Sequence, residues 1–137
     1  MSLFNVFDIA GSAMSAETVR LNVTASNLAN AQSVGPNEQS TYHARHPVFS
    51  ALMKSLHGDR GSYGVEVNGI IESQAPLEQR YQPEHPMANE EGYVFLPNVN
   101  IVDEMANMIS ASRAYQSNVE VLNTSKQLML ATLKLGQ

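Results

Sequence analysis

A chain of 137 residues with eight Lys and Arg against thirteen Asp and Glu, net charge −5, is one domain at most. It is not basic enough to hold nucleic acid or an anionic membrane surface, and with no cysteine it has no disulfide, thiolate metal site or thiol nucleophile. Only 15% of its residues are charged, against roughly 25% in an average soluble domain, and a low-charge polar surface suits faces that pack against protein.

The N-terminal stretch MSLFNVFDIAGSAM has a short apolar run, but Asp8 interrupts it and the first basic residue is Arg20. A cleaved secretory signal needs a positive leader and an unbroken apolar core, so this is not one. No stretch reaches the ~18 apolar residues of a membrane span. Phe7, Met14, Leu21 and Leu28 recur every seven residues, and Ile9, Ala13, Ala16, Val19 and Val23 form a second stripe. The spacing predicts a helix from Leu3 to Ala31 with two apolar faces, hence neighbours on both sides. Its end, RLNVTASNLANAQSVGP, places Asn22, Asn27 and Asn30 where helix formers are expected. Asn competes for backbone hydrogen bonds and tolerates left-handed backbone, so Asn27 and Asn30 suit a helix that stops there.

From Val34 to Asn98 the chain carries all six prolines and six of the eight glycines. YHARHPVFSALM reads as a short strand. Gly64 to Ser73 reads as a β run with Asn68-Gly69 as a turn or bulge, and GYVFLP as a short strand ended by Pro97. Between them, SQAPLEQRYQPEHPMANEEG is spaced by prolines and reads as extended. The apolar content is too thin for an independent core, so the middle is expected to be a loop-rich insert.

The C-terminal segment predicts the longest element. Asn100 is placed as N-cap and Asp103, at the third helical position, to reach back as in a capping box. Asp103 and Glu104 also suit the positive end of a helix dipole. From Ile101 to Leu135 there is neither Pro nor Gly, giving a helix of roughly 50 Å at ~1.5 Å per residue. Ile101, Met105, Met108, Ser112, Tyr115, Val119, Leu122, Lys126, Met129 and Leu133 fall on one 3–4 spacing, apolar at all but Ser112 and Lys126, which is a coiled-coil seam. Ala114, Val121, Leu128 and Leu135 make a second line.

No residue pattern carries chemistry. His43 and His46 are three apart, but Pro47 disfavours a helix there and no carboxylate completes a metal set. His57 and His85 stand alone, Glu90-Glu91 and Asp103-Glu104 are adjacent pairs and not carboxyls set across a cleft, and Gly58, Gly61 and Gly64 fit no phosphate-binding pattern. The expectation is no enzyme, no catalytic residue, no cofactor and no metal.

The termini resemble a known family. LNVTASNLANAQS (Leu21 to Ser33) is similar to the N-terminal signature of the axial proteins of the bacterial flagellum, carried here by Ala25, Ser26, Asn27, Leu28, Ala29 and Asn30. MANMISASRAYQSNVEVLNTSKQLMLATL (Met105 to Leu133) is similar to the partner helix, including Arg113 to Gln116 and Asn118. The middle, with Tyr81, Pro83, His85, Pro86, Ala88, Gly92, Tyr93, Val94, Pro97, Asn98 and Val99, looks like the basal-body rod proteins, closest to proximal-rod subunits of C type; Tyr42 to Phe49 also fits. Two loops, Ala31 to Tyr42 and Gly58 to Gly64, depart from the pattern.

The resemblance implies a mainly α fold, two long terminal helices forming a coiled-coil layer around a loop-rich middle with a few short strands. The divisions are an N-terminal axial helix over 1–33, an irregular insert over 34–97 and the C-terminal axial helix over 98–137. It implies a structural subunit of the proximal rod, exported through the flagellar type III apparatus without a cleaved signal, crossing the periplasm within the basal body and transmitting torque from motor to hook. Its expected partners are itself, other rod subunits, the export apparatus and the basal-body rings, with no nucleic acid and no membrane span. The expected assembly residues are Phe7, Met14, Leu21, Asn27, Leu28, Asn30, Ile101, Met105, Met108, Tyr115, Val119, Leu122, Met129 and Leu133, with Asn27 and Asn30 bonding a neighbouring subunit to fix register. The alternative is a soluble helical adaptor or secretion-associated binding module.

Overall fold

The computed structural model describes residues 3–54 and 62–135. Its elements in chain order are α1 (Leu3–Asn30), β1 (Arg45–Lys54), β2 (Ser62–Glu72), β3 (Glu78–Tyr81), β4 (Tyr93–Leu96) and α2 (Ile101–Leu135). The helices are 28 and 35 residues long. Asn27 near the end of α1 bonds Glu104 near the start of α2, and Arg20 bonds Asn107, so the two helices pack antiparallel.

Both helix boundaries follow from local chemistry. At the end of α1 the Asn30 amide donates to the Ser26 carbonyl at 2.8 Å, and the Asn30 carbonyl accepts from the Ser33 N–H and hydroxyl. The orphaned groups of the last turn are thereby satisfied. At the start of α2 the Asn100 side-chain oxygen accepts from the Val102 N–H at 3.0 Å and the Asp103 N–H at 3.4 Å, the expected N-cap. The reciprocal half of the capping box is not made: among the described residues no Asp103 carboxylate bond returns to Asn100. Asp is one methylene shorter than the Glu or Gln that completes this motif.

The middle is more ordered than a loop-rich insert. β1 and β2 form an antiparallel hairpin of 10 and 11 residues. Its register shifts between Val48 and Phe49, which face Gly69 and Val67, so Asn68 is the extra residue of a bulge and accepts a 2.9 Å bond from the Ser50 hydroxyl. Pro47 sits within β1; in a two-stranded sheet each strand is an edge, where a missing N–H is tolerated. β3 pairs antiparallel with β4, and Gly35 bridges to Phe95 through N–H to carbonyl bonds of 3.0 and 2.9 Å in each direction. The segment expected to be extended instead holds β3 and then folds through turns, with His85 N–H on the Gln82 carbonyl, Ala88 N–H on His85 and Gly92 N–H on Asn89. Gly92, at φ +82°, takes a left-handed conformation that other residues adopt at a cost. The Gly58 and Gly61 positions lie outside the described residues. The fold is therefore two long terminal helices with antiparallel β-structure between them, and the β content is larger than a mainly α reading allows.

The hairpin explains the two apolar faces of α1. The elements packed on α1 are α2 and both hairpin strands, whereas α1 is the only described element packed on α2. The Ser12 hydroxyl accepts from the Val65 N–H at 3.1 Å, and a side-chain carbon on Gly64 would lie 3.1 Å from that oxygen. So the second face of α1 is covered from within the chain. The buried apolar residues are Ala10, Ala16 and Val23 of α1, Ala111 of α2, Val94 of β4, and Ala44 and Leu77 beside the strands.

Candidate assembly interface

The most buried side chain of any size, besides Val94, is a polar one. Asn27 has no exposed surface. Its amide nitrogen donates to the Arg45 carbonyl at 2.9 Å and to Glu104 Oε2 at 3.0 Å. Its oxygen accepts from the Tyr42 hydroxyl at 2.8 Å and the Arg45 N–H at 2.9 Å. Two donors and two lone pairs are the full capacity of a carboxamide. Asn27 thus ties α1 to the start of β1 and to the first turn of α2, and it has nothing left for a neighbouring subunit. This corrects the expectation of an intermolecular register bond at Asn27. The Ala25 to Asn30 pattern signalled a buried amide; the sequence does not say which chain supplies its partners.

The same junction holds two more fasteners that the sequence reading missed. Asn98 accepts from the Ala44 N–H at 2.8 Å and donates to the Ala75 carbonyl at 2.7 Å and the Ser73 carbonyl at 3.4 Å. Arg45 lies 5.4 Å above the Tyr42 ring centre and pairs with Glu72 at 3.1 Å. Glu104, read from sequence only as a dipole complement, is buried against Asn27. A cleft of about 380 Å³ opens beside it, lined by Arg20, Thr24, Arg45, His46, Phe49 and Asn107 among others; Arg20 and Asn107 bond each other across it at 3.1 Å. Among the described residues no three His, Asp or Glu side chains are placed to share a metal, and no helix is long and apolar enough to cross a membrane.

The expected seam on α2 is rotated from where α1 lies. The positions of α2 that are shielded run Glu104, Met108, Ala111, Asn118, Leu122, Ser125 and Met129, buried or half-buried, and they face α1. The expected seam shares Met108, Leu122 and Met129 with this stripe, and Val119 is also half-buried. Ser112 is half-buried too, and the remaining members, Ile101, Met105, Tyr115, Lys126 and Leu133, are exposed, Met105 at 53% and Leu133 at 66%. Val102, Ile109, Val121, Leu128 and Leu130 join them. On α1, Phe7, Met14, Leu21, Leu28 and Asn30 are half-buried, while Asp8, Ser15, Thr18, Asn22, Ala25 and Ala29 form the exposed line. Val48, Phe49, Leu52, Val65, Ile70 and Ile71 of the hairpin are exposed as well.

On α2 and the hairpin, much large apolar surface is therefore left outside, while the buried positions of α2 are Glu104, Ala111 and Ser125. A monomer that stayed alone would be expected to do the reverse, because large contiguous apolar surface associates. These exposed faces are held in fixed relation to one another by the Asn27 junction.

Two family models match the chain: one described as "Flagella basal body rod protein", over residues 7–36, and one as "Flagellar basal body rod FlgEFG protein C-terminal", over residues 90–135. These regions contain all of the exposed apolar surface of α2 and the Asn27 motif. The chain is 52% identical over 137 residues to the flagellar basal-body rod protein FlgC of Salmonella typhimurium (strain LT2) and 53% identical over 137 residues to that of Escherichia coli O157:H7. It is 44% identical over 139 residues to the one from Buchnera aphidicola subsp. Acyrthosiphon pisum. In each case the match covers the full length of both chains.

Proposed function

Because the chain belongs to the flagellar basal-body rod protein family, and so is a structural subunit of the basal body and not an enzyme, we propose that it polymerises through the outward faces of its two terminal helices into the proximal part of a tubular drive shaft. The observation that supports this is the inverted burial of α2, with Ile101, Val102, Met105, Ile109, Leu128, Leu130 and Leu133 exposed while Ala111, Ser125 and Glu104 are enclosed. In the shaft these exposed residues form coiled-coil-like seams with neighbouring rod subunits, and Phe7, Met14, Leu21, Leu28 and Asn30 complete the layer from α1. Tyr115 and the flanks of Met108, Val119, Leu122 and Met129 supply the remaining contact.

Torque passes from motor to hook as shear shared among many interlocked helices, so no single residue bears it. A subunit with this role crosses the periplasm as part of the rod, reaches its place through the flagellar export apparatus without a cleaved signal, and meets the basal-body rings at the rod's flank. Subunit contacts of this kind are heterologous and open-ended, not two-fold and closed.

The test is a gene deletion examined by electron cryotomography with a swimming assay. The expected result is motor rings without rod, hook or filament, restored by the gene in trans. Complete flagella in the deletion strain would overturn the reading and return the soluble adaptor to consideration.

A further inference from the structure

Asn68 is the only asparagine of the chain that is followed by glycine, and the fold sets the pair at a break in a strand. Opposite Val48 and Phe49 the pairing of β2 steps from Gly69 to Val67, which leaves Asn68 outside the ladder. Regular strand backbone points each side chain out of the pleat, away from the next peptide nitrogen. A bulge disrupts that geometry at the residue it inserts. Asn68 and Gly69 are both exposed, so water reaches them. A side-chain carbon on Gly69 would meet nothing within 4 Å, and glycine adds no side chain of its own to crowd its nitrogen.

The Asn68 carboxamide is also polarised. Its oxygen accepts from the Ser50 hydroxyl at 2.9 Å across the hairpin. That bond draws electron density from the amide carbon and stabilises the negative charge that gathers on the oxygen when a nucleophile adds there. Asn37 is the contrast. It is exposed too, and its oxygen accepts from the Ser40 N–H at 2.8 Å, but the next residue is Glu38, whose side chain crowds the peptide nitrogen.

We propose that Asn68 is a site of spontaneous deamidation, and that its isoaspartyl product is a backbone lesion at the open end of the β1–β2 hairpin. The Gly69 nitrogen adds to the Asn68 side-chain carbonyl carbon. Its proton passes to the amide nitrogen, and the old carbon–nitrogen bond breaks to release ammonia. The cyclic imide that remains takes up one water, and opening at either carbonyl gives aspartate or isoaspartate. Water is the only co-reactant. In the isoaspartyl form the main chain runs through the side-chain methylene, so it gains an extra atom between residues 68 and 69. Gly69 to Glu72 pair with Val48 to Arg45, and the Arg45 backbone bonds Asn27. The extra atom therefore displaces the part of β2 that pairs with the strand held by Asn27.

The test ages the purified full chain in warm, mildly alkaline buffer. Peptide mass analysis follows amide-to-acid conversion at Asn68, with Asn37 as the internal reference, and a protein isoaspartyl carboxyl methyltransferase labels isoaspartate but not aspartate. Asn68 is expected to convert at least about tenfold faster than Asn37, and Gly69→Ala to slow it by about the same factor while circular dichroism melting shows the parent fold. Ser50→Ala is expected to slow conversion about threefold, the worth of one neutral hydrogen bond, and Ser50→Thr to keep the parent rate. The isoaspartyl fraction is expected to melt at a lower temperature than fresh chain, and Asn68→Asp at the same temperature. Conversion at Asn68 no faster than at Asn37, or unslowed in Gly69→Ala, would overturn the site. An unchanged or faster rate in Ser50→Ala would overturn the part given to Ser50. Equal melting of the isoaspartyl fraction and Asn68→Asp would overturn the lesion. All these readouts are taken on the free chain, so they are independent of the rod reading.

Discussion

Replacing Asn27, which has no exposed surface, with Ala removes the partner of a backbone N–H and carbonyl of Arg45, of the Tyr42 hydroxyl and of the buried Glu104 carboxylate. Each buried group left unpaired costs about 1–3 kcal/mol, with some relief from relaxation, so Asn27→Ala is expected to destabilise the free chain by roughly 2–4 kcal/mol. The shift in urea midpoint measures it. Asn27→Asp, nearly the same shape, is expected to do at least as badly, because it exchanges both amide donors for an oxygen facing Glu104 and the Arg45 carbonyl. If either variant lost assembly but kept its midpoint, Asn27 would be an intermolecular residue after all. Glycines give a second contrast at this scale. Gly92 sits at φ +82°, and a side-chain carbon there would come within 2.9 Å of Tyr81 and 3.1 Å of Pro83. Gly92→Ala should lower stability by about 1–2 kcal/mol from backbone strain alone. Gly69→Ala, where nothing lies within 4 Å, should leave the midpoint within ~0.5 kcal/mol.

At the scale of elements, the proposed assembly assigns one face of α2 to the fold and its exposed faces to contacts with neighbours, and substitutions should separate them. Ala111 is fully buried against α1, so Ala111→Leu overpacks the helix pair and should cost about 1–3 kcal/mol of monomer stability. Met105→Asp, at an exposed position, should leave the melting curve of the free chain nearly unchanged and abolish motility in complemented deletion cells. Normal swimming with Met105→Asp would show that this face stays free in the rod. The bounds of α2 were legible in the sequence because Pro97, the Asn100 cap and an unbroken run to Leu135 are local signals. Its inward face was not. A seam drawn through the largest apolar residues takes those as the buried ones, whereas here Glu104, Ala111, Asn118 and Ser125 share the α1 side with Met108, Leu122 and Met129, and Ile101, Met105, Tyr115 and Leu133 are exposed. The hairpin was only partly legible: the Asn68 bulge and the β4 stop at Pro97 were visible, but the length of β1 and β2 depends on pairing with each other and on α1, which no local pattern encodes.

For the whole molecule, burial is inverted relative to a self-sufficient domain. Small residues hold the helices together, one saturated Asn fixes their register to the hairpin, and large apolar side chains are left outside on α2 and both hairpin strands. That arrangement fits a subunit whose folding is completed by its neighbours, which is the physical content of belonging to a rod family. The terminal motifs disclosed the family because they are contiguous in sequence; the division between inner and outer faces became visible only when the chain was folded.

Methionine footprinting tests this division most directly. Met105 and Met87 are both exposed in the free chain, at 53% and 43%, and brief oxidation followed by peptide mass analysis reports each separately. In the free chain both should oxidise at comparable rates. In isolated basal bodies Met105 is expected to be protected about tenfold or more, as its burial in a subunit contact requires, with Met87 serving as the internal reference. Equal oxidation of Met105 in the free chain and in basal bodies would contradict the account, because the outward face of α2 would then be solvent-exposed in the very structure it is held to build.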